Sequence, residues 1–196
     1  MTATFAFDRI AAIRRGVVLF EELSFALAPG DAAFVSGANG AGKSTLIRIA
    51  AGLLPPAAGH LIDAGISRAL LGEPTALDAE RPLGEALAFW AELDGGDARA
   101  RADAAIAALG LTALAAIPVR LLSTGQRRRA AMARIVATRA VLWLLDEPTN
   151  GLDDDAIAAV EHVVARHRAA GGMAIVASHL PLALAGAQAI ALGGAR

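Results

Sequence analysis

The stretch Gly37-Ala38-Asn39-Gly40-Ala41-Gly42-Lys43-Ser44-Thr45 constrains this chain more than any other. Phe34 and Val35 before it end an apolar run with strand character, and Leu46, Ile47, Ile49 and Ala50 after it continue with helical composition. A G-x-x-x-x-G-K-S run at a strand-to-helix turn is a phosphate-binding loop. Gly37, Gly40 and Gly42 permit turns that a Cβ would block, so successive backbone N–H groups, including those of Ala38, Asn39 and Ala41, can converge on phosphate oxygens. The positive end of the following helix faces the same ligand. Lys43 then reaches the β and γ phosphates, Ser44 offers its hydroxyl to Mg²⁺, and Thr45 completes the cradle. Lys43 is also the only lysine in a chain whose other basic side chains are arginines.

Composition narrows the remaining possibilities. With 196 residues, 56% of them hydrophobic, the chain can bury one substantial core, so one domain is expected over residues 1–196. A net charge of −1 lacks the basic footprint of a protein that lives on nucleic acid, and no nucleic-acid partner is expected. Cysteine is absent, which excludes disulfides, thiolate metal sites and a cysteine nucleophile. The first ten residues carry Asp8 and Arg9 with no apolar run between charges, so no signal peptide is read and a cytoplasmic location is expected. The mean hydropathy of +0.51 reflects alanine. Every apolar stretch is interrupted before the roughly 18 residues a membrane-spanning helix needs.

Strand-like segments come first, at residues 4–13 and 17–27, closed by a Pro29-Gly30-Asp31 turn. Short strands follow at His60-Leu61-Ile62 and Ala69-Leu70-Leu71. Apolar spacing is helical over residues 83–93 and 98–109, which makes about 74–120 a small helical insert. Ser123 or Thr124 caps a helix running to about Ala137. Arg127, Arg128 and Arg129 within it read as a solvated helix face. Residues 141–145 and 173–177 are continuously apolar, as strands covered on both faces of a parallel sheet must be. Between them Asp153, Asp154 and Asp155 open a helix to about His167. Strands alternating with helices around a phosphate loop predict an α/β fold: a mainly parallel P-loop NTPase sheet, a small N-terminal antiparallel part and the helical insert.

The first buried strand ends in Asp146-Glu147 and the second in Ser178-His179. Two carboxylates after five apolar residues are costly near a core unless a cation meets them. Beside a phosphate loop, Asp146 suits a second contact to Mg²⁺ and Glu147 suits a base that polarises an attacking water. His179 falls at the same ligand-binding end of the sheet.

With these residues in view, the chain resembles the nucleotide-binding subunits of ATP-binding cassette (ABC) transporters over nearly its whole length. The specific element is Leu122-Ser123-Thr124-Gly125-Gln126, placed between the phosphate loop and Asp146-Glu147. Thr149-Asn150-Gly151-Leu152-Asp153 matches that family's D-loop, and His179 its switch histidine. The resemblance implies ATP and Mg²⁺ as ligands and a homodimer closed through the ATP sites. Ser123, Gly125 and Gln126 of one chain would then meet the nucleotide held by the other. A finer similarity is to the ATPases of cytochrome c maturation, the haem exporter type. It is carried by Arg15-Gly16-Val17-Val18-Leu19-Phe20, by Ile117-Pro118-Val119 and by Thr138-Arg139-Ala140-Val141-Leu142-Trp143. That similarity implies integral membrane permease partners, peripheral attachment to the cytoplasmic side of the inner membrane, and ATP hydrolysis coupled to release of haem-loaded chaperone.

Two departures stand out. There is no tyrosine to stack on adenine, and Arg14 or Arg15 falls where an aromatic is usual, which predicts weak base selectivity. Glu73 occupies the place where most ABC proteins have Gln. Other functions remain open at this level: the ATP-binding subunit of another ABC transporter, a soluble ABC ATPase, and a module that holds ATP without turnover.

Overall fold

The structure is a computed structural model describing residues 4–72 and 76–193. Strands β1 (Phe5–Arg14) and β2 (Val17–Leu27) form a hairpin. Its turn residues Arg15 and Gly16 both have positive φ, 51° and 77°, the handedness a tight hairpin needs. The chain then passes through β3 (Ala32–Ser36) into α1 (Lys43–Ala50) and returns as β4 (Ala58–Asp63) on the far side of β1. The result is an antiparallel sheet of order β2-β1-β4.

Next come β5 (Arg68–Leu71), α2 (Leu83–Glu92) and α3 (Ala98–Ala108). After them α4 (Thr124–Ala137), β6 (Leu142–Asp146), α5 (Asp154–Ala169), β7 (Met173–Ala177) and β8 (Gln188–Ala191) complete the chain. The main sheet has order β5-β6-β7-β3-β8 and every pairing in it is parallel.

Two-residue periodicity divides the core. Leu142 and Leu144 of β6, with Met173 and Ile175 of β7, face the layer built from α1 and the antiparallel sheet. Trp143 and Leu145, with Ala174 and Val176, face the layer of α2 to α5. Both faces are therefore apolar, which is why the sequence shows no alternation there. The insert formed by α2 and α3 is tied back by a bridge between Pro82 and Pro118. Arg101 of α3 donates to the carbonyls of Ala137 and Ala91, capping the C-terminal ends of α4 and α2 with one guanidinium.

Past His179 the sequence carries no clear element signal, yet the structure adds β8, which pairs with β3 through four residues of which only Ile190 is buried. So short and alanine-rich a segment carries no strand signal of its own; the free edge of β3 makes it a strand. Arg127, Arg128 and Arg129 are not a solvated face. Each is half-buried and donates to a backbone carbonyl, of Arg120, of Asp146 and Glu147, and of Leu109 respectively. Glu73 lies outside the described residues.

Candidate functional site

Strand β3 delivers Gly37 to the carboxyl end of the main sheet, and the chain turns over Gly40 to enter α1 at Gly42. Gly37 and Gly42 hold φ of 151° and 105°. A Cβ on Gly37 would sit 2.7 Å from the Leu192 carbonyl oxygen, and one on Gly42 would sit 3.1 Å from Leu19 Cβ and 3.2 Å from the Phe20 ring. Backbone freedom and close packing both demand glycine here. No side chain caps the N-terminus of α1 and its first turn holds no acid, so the N–H groups at that end face no competing protein anion.

Lys43 is buried, 6% exposed, and folds back over the loop. Its Nζ donates to Gly37 O at 2.8 Å and Ala38 O at 3.4 Å and lies 3.6 Å from the Glu147 carboxylate. The cation is thus held by two neutral acceptors and one counter-charge. A cavity of 310 Å³ opens beside it, lined by Lys43, Ser44, Thr45, Asn39, Gly40, Gly42 and Glu147, with Arg14 and Leu19 contributed by the β1–β2 hairpin. Arg14, and not Arg15, is the guanidinium on that wall.

Asp146 is the last residue of β6. Burial, before anything else, pushes its carboxyl above the usual range; a hydrogen bond from the Ser44 hydroxyl opposes the shift, Glu147 adds to it, and Arg128 and Arg48 counter it. Its Oδ1 is shut off from solvent with no hydrogen-bond partner. An orphaned carboxylate oxygen beside a serine hydroxyl is a pair of hard oxygen donors, the set Mg²⁺ accepts.

Glu147 sits at φ 49°, a left-handed conformation that costs a residue with a side chain about 1–3 kcal/mol and persists only where its surroundings enforce it. Its amide donates to Ala177 O at 2.7 Å, which ties it to the end of β7. One carboxylate oxygen faces Lys43. The other accepts from Ser178 Oγ at 3.2 Å and from His179 N at 3.3 Å, and lies 2.8 Å from His179 Nδ1. The sequence-predicted residues Lys43, Ser44, Asp146, Glu147 and His179 therefore converge. Ser178, Leu19 and Arg128 were missed. A polar residue after five buried ones could have flagged Ser178; nothing local distinguishes Leu19 from its neighbours.

Ser123, Gly125 and Gln126 do not line this cavity. They form the N-terminus of α4, where Ser123 Oγ accepts from Gln126 N at 3.2 Å and Gln126 Oε1 accepts from Ser123 N at 2.8 Å. This reciprocal pair is a capping box, and it fixes the direction in which the helix end points. A methyl on Gly125 would lie 3.7 Å from Gly151 O, so the 149–153 loop runs alongside.

Comparison with known proteins agrees with this geometry. Residues 20–150 match the family model described as ABC transporter. A cytochrome c biogenesis ATP-binding export protein of Sphingopyxis alaskensis is 51% identical over 193 residues, covering 98% of this chain and 98% of that protein. The protein of the same description from Rhodospirillum rubrum is 46% identical, covering 97% of this chain and 86% of its own. A solved inward-facing metal-chelate type ABC transporter aligns with TM-score 0.75 at 25% identity, covering 92% of this chain and 75% of its own. Among the described residues, no helix is long and apolar enough to cross a membrane. The chain belongs to the ABC transporter ATP-binding family and, within it, to the cytochrome c biogenesis ATP-binding export proteins.

Proposed function

We propose that this chain is the ATP-hydrolysing subunit of a membrane ABC complex that drives haem export, or release of haem-loaded chaperone, during cytochrome c maturation. The observation that carries the hydrolytic part is that Glu147 and Lys43 meet at one cavity, with His179 bonded to the same carboxylate. The names of relatives matched over nearly full length support the cytochrome c part.

Residues 37–45 hold the triphosphate, with Lys43 exchanging its carbonyl acceptors for phosphate oxygens. Asp146 and Ser44 would hold Mg²⁺, which when bound supplies charge neutralisation to the β and γ phosphates. Glu147 accepts a proton from, or orients, the water that attacks the γ-phosphorus. His179, hydrogen-bonded to Glu147, holds that carboxylate at the γ-phosphate end. Ser123, Gly125 and Gln126 do not line their own chain's cavity, which suits a head-to-tail homodimer in which they close over the partner's ATP. The α2–α3 insert would face integral membrane permease subunits from the cytoplasmic side of the inner membrane.

Glu147→Gln tests this reading. The variant should bind ATP, hydrolyse it on the order of 10²- to 10⁴-fold more slowly, and elute as a dimer with Mg²⁺-ATP in size-exclusion chromatography. Lys43→Ala should instead lose nucleotide binding itself. Turnover at the parent rate by Glu147→Gln, with no ATP-dependent dimer, would sink the reading.

A further inference from the structure

Arg128 lies half-buried on α4, a little over one turn beyond the Ser123 cap. Its Nη2 donates to Asp146 O at 2.8 Å and also to Glu147 O. In an extended strand, successive carbonyls point to opposite sides, so one nitrogen cannot reach two in a row. It does so here because the chain leaves the strand at Glu147, where φ of 49° swings the second carbonyl towards the first. The paired bonds from Arg128 are therefore lost if Glu147 relaxes to an extended backbone. The Asn150 backbone N–H also donates to the Glu147 carbonyl, at 3.3 Å. The guanidinium makes no ion pair within 4.0 Å among the described residues, and its Nε is buried without a hydrogen bond; its charge acts on the Asp146 carboxyl, but the two carbonyls are what accept its hydrogen bonds.

We propose that Arg128 is a positioning residue for hydrolysis: it selects the left-handed backbone of Glu147 and thereby aims that carboxylate into the nucleotide cavity. Because Arg128 and Ser123 ride on the same helix, a displacement of the Ser123 end of α4 moves the clamp on the chain's own Glu147. The inference rests on the reading of Glu147 as the residue that activates water.

The test is steady-state ATPase kinetics of Arg128→Gln and Arg128→Lys beside Glu147→Gln, with nucleotide affinity and melting temperature measured on each. Arg128→Gln should lower kcat on the order of ten- to a hundredfold while KM for ATP moves by no more than about twofold, because the phosphate cradle is untouched. Arg128→Lys, which keeps the charge and a donor but not the planar fork, should fall between the two. A purely structural clamp would lower the melting temperature and leave the kcat of the folded, nucleotide-binding fraction near parent. That result, or parent-like kcat in both Arg128 variants while Glu147→Gln is inactive, overturns the inference and leaves the role of Glu147 standing. Parent-like turnover by Glu147→Gln defeats the Glu147 reading independently. If Arg128→Gln does not fold, the Lys variant decides by the same split of kcat from KM.

Discussion

Single residues set how selective the site is. Among the described residues, the cavity wall offers a base Arg14 and Leu19 and no aromatic ring. A planar guanidinium stacks on any base, so it holds the ring without reading its edges. The expected outcome is kcat/KM for GTP within about tenfold of that for ATP, with Arg14→Ala raising KM for both nucleotides alike by the loss of one stacking partner. A strong preference for ATP in the parent protein would show that some other group reads adenine. Legibility from sequence was uneven at this scale. Lys43 and Glu147 announced themselves through spacing, whereas Arg128 sat in a run of three arginines whose local pattern is that of a solvated surface. Only the fold reveals that the middle one points at the end of β6.

At the level of elements, α4 does two jobs at its first turn. The reciprocal bonds between Ser123 and Gln126 satisfy N–H groups that the helix cannot satisfy itself. In the proposed dimer the same serine is the residue offered to a partner's nucleotide. These roles separate experimentally. Ser123→Ala should cost about 1 kcal/mol of stability as a lost cap, visible as a lower urea midpoint without nucleotide. Ser123→Asp should restore the cap and the midpoint, yet place a carboxylate where a phosphate would come, so ATP-driven dimerisation should not return with it. Recovery of both properties by Asp would mean the side chain serves the helix alone. That a hydroxyl cap opens this helix, and the helix length, were legible because N-caps have a local chemical signature, while the choice of Ser123 over Thr124 came from the structure; β8 was not legible, because its only reason to be a strand is the exposed edge of β3.

Across the whole molecule, the foot of the main sheet, opposite the nucleotide end, is held by His167. Its ring lies 3.9 Å from the Trp143 indole at an interplanar angle of 7°, and Nε2 is 3.2 Å from both Val141 O and Met173 O, bridging the starts of β6 and β7. Burial lowers its pKa below 6.5, against hydrogen bonds to Met173 and Val141 that work the other way. The folded state therefore resists a proton that the unfolded chain accepts. This contribution to stability is complete above the unfolded value of about 6.5 and declines as pH falls below it, until the folded pKa is reached. Urea unfolding from pH 8 to 5 should show the decline, and His167→Gln should be less stable at pH 8 but flatter across the range; an unchanged slope would assign the effect elsewhere. By itself the sequence determined the phosphate loop, the acid pair, the helix cap and the parallel α/β class, since each depends on backbone freedom or periodicity within a few neighbouring residues. The tertiary structure alone decided that Lys43 meets Glu147, that Arg14 rather than Arg15 walls the cavity, that Arg128 grips two carbonyls and that β8 pairs with β3. Those are contacts between segments far apart in the chain, fixed by how two packed layers bring the strand ends together.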